Sequence, residues 1–184
     1  MDRLLREYLP TDPELGLFVA PEIPPRKLAA AVQDYGADVD PEAVVALYDA
    51  TRLGSAKDGA LFLADRVVFQ NNDLQPPRTV RYRDIVGVRS RRRLLGGREV
   101  ELDLNQGRAT TTATLDFSGQ PDAAAYVERF FEQALAASVG GAPQAGTESG
   151  VGTDRAAVES ALEDLRAAGL LSAEDYRAMR DVLR

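Results

Sequence analysis

Arginine is the residue type whose clustering in this chain most clearly suggests a binding site. The segment 78–98 contains eight arginines and one acidic residue, Asp84, and therefore carries a charge of +7. The whole chain carries −7, so the remaining residues carry −14. Guanidinium groups bind phosphate oxygens in a bidentate manner, and Gly96-Gly97 would let the backbone approach a ligand. The candidate anion-binding residues are Arg89, Arg91, Arg92, Arg93 and Arg98.

The same run has a structural interpretation, which the sequence favours. Strand alternation would place Arg89, Arg91 and Arg93 on one face and Arg92 on the other. Charge on an edge strand discourages other chains from pairing with it. Near an anionic surface each basic residue contributes about 1 kcal/mol, so three or four arginines would give moderate, salt-sensitive attraction. An anionic membrane lipid or a phosphate-bearing ligand is therefore the alternative to solvated edge charge.

Composition excludes several classes of active site. The chain of 184 residues contains no Cys and no His, which removes thiol nucleophiles, disulfides, Cys/His zinc sites and imidazole acid–base catalysis. The loop 54–59 lacks the spacing of a phosphate-binding loop, and the carboxylates match no calcium-binding or catalytic pattern. We therefore expect no enzyme, no cofactor and no metal; a carboxylate hydrolase is the enzymatic alternative. The net charge disfavours nucleic acid as a partner.

Hydrophobic periodicity predicts two segments before residue 138. The pattern of residues 1–37 predicts an N-terminal helical extension. Within it, one helix begins at Pro25 and ends at Gly36. Residues 38–137 predict five to seven short antiparallel strands followed by a helix over 121–137. The broad apolar face of that helix must pack on the open end of the sheet.

The C-terminal segments predict an interaction element. Residues 138–153 are rich in glycine and predict a flexible linker. Residues 154–184 predict a helical hairpin that is too small to be very stable alone. Its apolar stripe should therefore pack against a second copy, the main domain or a partner. The candidate partner-binding residues are Val158, Leu162, Leu165, Tyr176, Met179 and Leu183.

In Gly59–Phe69 (GALFLADRVVF) an Ala-Asp-Arg turn lies between two apolar runs. This segment resembles the second hairpin of bacterial pleckstrin-homology-like (PH-like) domains, in which a Thr/Ala-Asp-Arg turn joins two apolar strands. The plan of these domains is a set of strands followed by one helix. Tyr82–Val88 (YRDIVGV) resembles the following strand, and Leu47–Gly59 resembles the opening segment of one uncharacterised bacterial branch. Leu162–Arg180 is similar to the short C-terminal SHOCT hairpin that is often appended to such domains.

The resemblance implies an α+β fold, a PH-like antiparallel β-barrel or sandwich capped by a C-terminal helix, with N-terminal helices and a separate C-terminal helical hairpin. It implies a partner-binding or oligomerising module and does not imply phosphoinositide binding. We therefore predict a non-enzymatic bacterial interaction module that self-associates or binds a protein partner. The alternative is a peripheral binder of anionic membrane lipids or of a phosphate-bearing ligand.

The N-terminal sequence and the short apolar runs bear on localisation. Residues 1–8 have neither the apolar stretch nor the cleavage site of a signal peptide. Apolar runs fall far short of the roughly 20 residues that a transmembrane helix needs. We therefore expect a cytoplasmic protein, with peripheral attachment to the inner face of the membrane under the alternative function.

Overall fold

The computed structural model describes residues 1–93, 96–107 and 109–140, which belong to one compact unit of the chain. The predicted hairpin 154–184 and the predicted linker beyond residue 140 lie outside the described residues. The α-helices are α1 (Asp2–Tyr8), α2 (Pro25–Asp34) and α3 (Ala123–Gly140). The strands are β1 (Leu17–Val19), β2 (Ala46–Asp49), β3 (Gly59–Phe62), β4 (Arg66–Gln70), β5 (Arg78–Arg81), β6 (Ile85–Arg92), β7 (Arg98–Asn105) and β8 (Thr110–Asp116).

The strands form two antiparallel sheets, one with five strands (β1 to β5) and one with three (β6 to β8). Each strand pairs with its sequence neighbour within its sheet, so both sheets are meanders. A 3₁₀ turn at Tyr82–Asp84 separates the two sheets. The α+β class, the antiparallel strands and the helix that follows them are confirmed, and the two sheets are consistent with an open sandwich.

Helix α3 closes the main core with two adjacent aromatic side chains. Phe130 and Phe131 are fully buried. The Phe130 ring lies 6.0 Å from the Phe62 ring and 5.3 Å from the Tyr82 ring, both nearly edge-on, which is a favourable aromatic arrangement. The predicted role of this helix in the core is therefore confirmed. Its bounds differ from the prediction, because it begins at Ala123 and continues through the first three residues of the predicted linker.

The N-terminal residues are part of the same fold. Leu5 of α1 is fully buried in the core that α3 closes. Helix α2 begins at Pro25, as predicted, and contributes the buried Ala31 to a second apolar cluster that includes Leu47 and Leu61 of β2 and β3. Successive residues of β2 and β3 are buried, which shows that both faces of this sheet are covered.

Strand β1 was not predicted, and it covers the edge of β2. Its three residues, which follow the turn at Gly16, are too few to show periodicity. Two residues that precede β1 pair with its outer edge. Asp12 forms a bridge with Leu17, and the Val19 N–H donates to Thr11 Oγ1 at 3.1 Å. These contacts satisfy part of the outer edge and oppose strand addition there.

Candidate functional site

Three of the five candidate anion-binding arginines are paired with carboxylates on the outer face of the three-stranded sheet. Alternation places Val100 and Leu102 in the core and the acidic residues of β7 on the opposite face. Arg89 and Arg91 of β6, and Arg93 just after it, lie beside those carboxylates on this one face, as the sequence predicts. The separations are 3.0 Å for Arg89–Asp103, 3.2 Å for Arg91–Glu101 and 2.9 Å for Arg93–Glu99.

A fourth carboxylate joins this ladder of charges from β8. Arg93 Nη1 lies 3.1 Å from Asp116 Oδ2 and also donates to Ser118 Oγ at 3.1 Å. Three arginines therefore meet four carboxylates on this face. Exposed ion pairs contribute little stability each, but the carboxylates compete with any incoming anion for the same guanidinium donors. The outer face is consequently a weak anion site.

Arg92 and Arg98 are arranged differently from the other three. They lie directly opposite each other across β6 and β7. Within the described residues neither has a carboxylate at ion-pair distance. Of the five candidate anion-binding arginines, these two are therefore the ones whose positive charge is not paired with a carboxylate of the described residues.

The six apolar hairpin residues proposed for partner binding lie outside the described residues. They are Val158, Leu162, Leu165, Tyr176, Met179 and Leu183.

Two leucines that the sequence reasoning missed are almost fully exposed at one end of the five-stranded sheet. Leu53 is 97% exposed and Leu74 is 95% exposed. Leu53 lies in the β2–β3 loop and Leu74 in the β4–β5 loop, which leave the sheet at the same end because Gly59 pairs with Gln70. We call this end, with residues 50–58 and 71–77, the leucine surface. The only signal in the sequence was a single leucine in each of two polar, turn-rich segments.

A buried ion pair fixes the base of the β2–β3 loop. Asp49 is 2% exposed and pairs with Lys27 of α2. The Asp49 carboxylate also accepts from the Thr51 N–H at 2.9 Å and from the Ala56 N–H at 3.2 Å. The Lys27 ammonium donates to the Gly54 carbonyl at 2.6 Å. These bonds hold the loop that carries Leu53, and they support the structural interpretation of residues 54–59 over a phosphate cradle.

Acidic side chains lie around Gln70, the last residue of β4, from which the loop that carries Leu74 leaves the sheet. Gln70 Nε2 lies 3.3 Å from Asp34 Oδ2 and 3.4 Å from Asp58 Oδ1. Burial raises the pKa of Asp58 above its usual value; the Gln70 hydrogen bond opposes this shift, and the charges of Asp73 and Asp34 add to it. Three acidic side chains, Asp34, Asp58 and Asp73, therefore lie together near the base of the β4–β5 loop that carries Leu74.

An open groove lies where β5 ends. Its cavity of about 440 Å³ is lined by Asp65, Arg81, Tyr82, Arg83, Met1 and Ser138. The Tyr82 hydroxyl is not available for chemistry there, because it donates to the buried Leu63 carbonyl at 2.9 Å, and burial raises its pKa well above the usual value. Among the described lining residues, the other polar side chains are those of Arg81, Arg83, Asp65 and Ser138.

Neither a metal centre nor a membrane-spanning helix is found in residues 1–93, 96–107 and 109–140. No group of three or more acidic side chains there could hold a metal ion. None of the helices in these ranges is long and apolar enough to cross a membrane.

Comparisons with family models, with curated proteins and with solved structures find no match to this chain.

Proposed function

We propose that this chain is a non-enzymatic interaction module with a PH-like body. The order of elements supports the fold proposal, because strands β2 to β8 run as antiparallel meanders and helix α3 follows them within the described part of the chain. The exposure of Leu53 and Leu74 carries the functional proposal. Loops on a rigid scaffold commonly carry binding residues, and the loops that carry these two leucines leave the sheet at the same end.

The occupant of the leucine surface is a protein rather than a bilayer. Asp73 adjoins Leu74 in sequence and interacts with Asp58, whereas Arg52 adjoins Leu53. Asp58 and Asp34 both contact Gln70 at the base of the loop that carries Leu74. An anionic bilayer would bring its headgroups against these carboxylates. A protein partner can place apolar pockets over the two leucines and basic groups over the acidic side. Full burial of a leucine side chain contributes about 1.5–3 kcal/mol, so two leucines would dominate such a contact.

Site-specific photo-crosslinking in cells tests this assignment whatever the identity of the partner. A photoreactive residue at Gln75, exposed beside Leu74, is compared with one at Gln133, exposed on α3. We expect a crosslinked protein at position 75 that is absent at position 133 and is lost when Leu74→Ser is added. Equal amounts of crosslinked product at both positions, or a product at position 75 that Leu74→Ser does not change, would show that the leucine surface binds no specific protein.

We further propose that the hairpin 154–184 mediates self-association of the full chain. The short length of the predicted hairpin and the glycine-rich composition of residues 138–153 support this, since a second contact on the same chain raises the overall avidity. Sedimentation velocity of the full chain should show a concentration-dependent mass above one chain. Leu162→Glu with Met179→Glu should return it to one chain, whereas Arg177→Glu, off the apolar stripe, should not. An unchanged mass in the double variant would disprove this role.

A further inference from the structure

The register of β6 and β7 forces two arginines together. The Arg93 N–H donates to the Gly97 carbonyl at 3.2 Å, so these two residues form a hydrogen-bonded pair. Pairs alternate along an antiparallel ladder, and the next pair, Arg92–Arg98, is therefore a non-hydrogen-bonded one. Side chains are closest in such pairs, with Cβ atoms about 4.5–5.5 Å apart, and like charges directly opposite are destabilising.

No carboxylate of the described residues compensates this pair. The neighbouring arginines on the outer face each lie within 4.0 Å of an acidic side chain, as Arg91 does with Glu101 at 3.2 Å. Arg92 and Arg98 point to the other face of the sheet, which they share with the fully buried Val100. Arg92 is exposed and Arg98 is half-buried, so a solute can reach both. The ladder thus holds neutralised arginines on one face and an uncompensated charge of +2 on the other.

We propose that Arg92 and Arg98 together bind a doubly charged oxyanion of the phosphate class. Two guanidinium groups match the charge of one dianion, and each can donate two parallel hydrogen bonds to its oxygens. A bound anion offsets the repulsion between the two guanidinium groups. The pair should therefore bind an anion more tightly than an isolated arginine does. The phosphate group belongs either to a small solute or to a lipid headgroup, because the two sources offer the same chemistry.

The test is thermal unfolding of the full chain with inorganic phosphate added at constant ionic strength. Constant ionic strength separates binding from general screening. Phosphate should raise the melting temperature of the wild type, since a ligand that binds only the folded state stabilises it. Arg92→Gln and Arg98→Gln should each weaken phosphate binding about tenfold or more, as expected for loss of charge-assisted hydrogen bonds. Arg91→Gln, one residue away on the paired face, is the matched control and should keep the phosphate response.

The same variants give a second readout without phosphate. In chloride buffer Arg92→Gln and Arg98→Gln should melt at or above the wild-type temperature because they relieve the like-charge pair, whereas Arg91→Gln should not gain stability. The proposal is overturned if phosphate stabilises all four proteins equally or none of them.

Sedimentation with phosphatidylcholine vesicles, with and without phosphatidic acid, identifies the source of the phosphate group. Pelleting that needs Arg92 and Arg98 indicates a lipid headgroup, and a response to free phosphate alone indicates a solute.

Discussion

Replacement of Asp49 by alanine should strongly destabilise the base of the β2–β3 loop, which carries Leu53. Asp49 is 2% exposed and bonds Lys27, Thr51 and Ala56. Its loss leaves the Lys27 ammonium in a partly buried site without its carboxylate, and removal of one partner of a buried pair typically costs about 3–5 kcal/mol. For a domain of this size about 1 kcal/mol lowers the melting temperature by roughly 3 °C, so we expect a fall of roughly 10–15 °C.

Chemical and thermal denaturation of matched variants measures this cost. Lys27→Met should be milder than Asp49→Ala, because Asp49 then keeps its bonds from the Thr51 and Ala56 N–H groups. The double variant should cost less than the sum of the two single changes, since the shared ion pair can be lost only once. A cost for Asp49→Ala below about 1 kcal/mol, or additive costs in the double variant, would refute the claim that this ion pair organises the β2–β3 loop.

Three further substitutions test other parts of the structure. Gly59→Ala should strongly destabilise the protein in chemical denaturation, because φ is 141° and an added Cβ would lie 1.9 Å from the Tyr48 carbonyl oxygen. Phe130→Ala should cost about 3–5 kcal/mol in the same assay, whereas Tyr126→Ala, on the exposed side of α3, should be nearly neutral. Asp58→Asn should gain stability over the wild type as the pH rises from the ordinary carboxyl pKa of 3.8 through the raised pKa of Asp58, because the wild-type carboxyl ionises over that range. The raised pKa of Asp58 means that its ionisation opposes folding, and this penalty is present above the folded-state pKa and absent below the unfolded-state value. Melting temperatures across that range that run parallel in the two proteins would contradict this sign.

Local patterns were sufficient to predict the elements that have clear periodicity. Val100, Leu102 and Leu104 alternate with polar residues, and they form the buried face of β7. Pro25 marked the start of α2, since proline is preorganised for the first helical turn. Strand β1 could not be predicted because three residues carry no period, and its place beside β2 depends on tertiary pairing.

The candidate site was predictable in part. Alternation alone separated Arg91 from Arg92, but the partners of each depend on the register between β6 and β7, which local sequence does not specify. The register between β6 and β7 places Arg91 next to a carboxylate and Arg92 opposite Arg98. The exposure of Leu53 and Leu74 was hidden for a similar reason, because a leucine in a loop packs inward or projects outward according to contacts made elsewhere.

The central claim is that Leu53 and Leu74 form one protein-binding surface, and the crosslinking yield at position 75 in a Leu53→Ser background tests it most directly. Leu53 is 97% exposed, so its replacement leaves the fold intact and removes only its apolar contact. If one partner covers both loops, the yield at position 75 falls about tenfold or more, as expected for a contact of about 1.5–3 kcal/mol, while the melting temperature is unchanged. An unchanged yield would contradict the account, because it would show that the partner at Leu74 does not depend on Leu53.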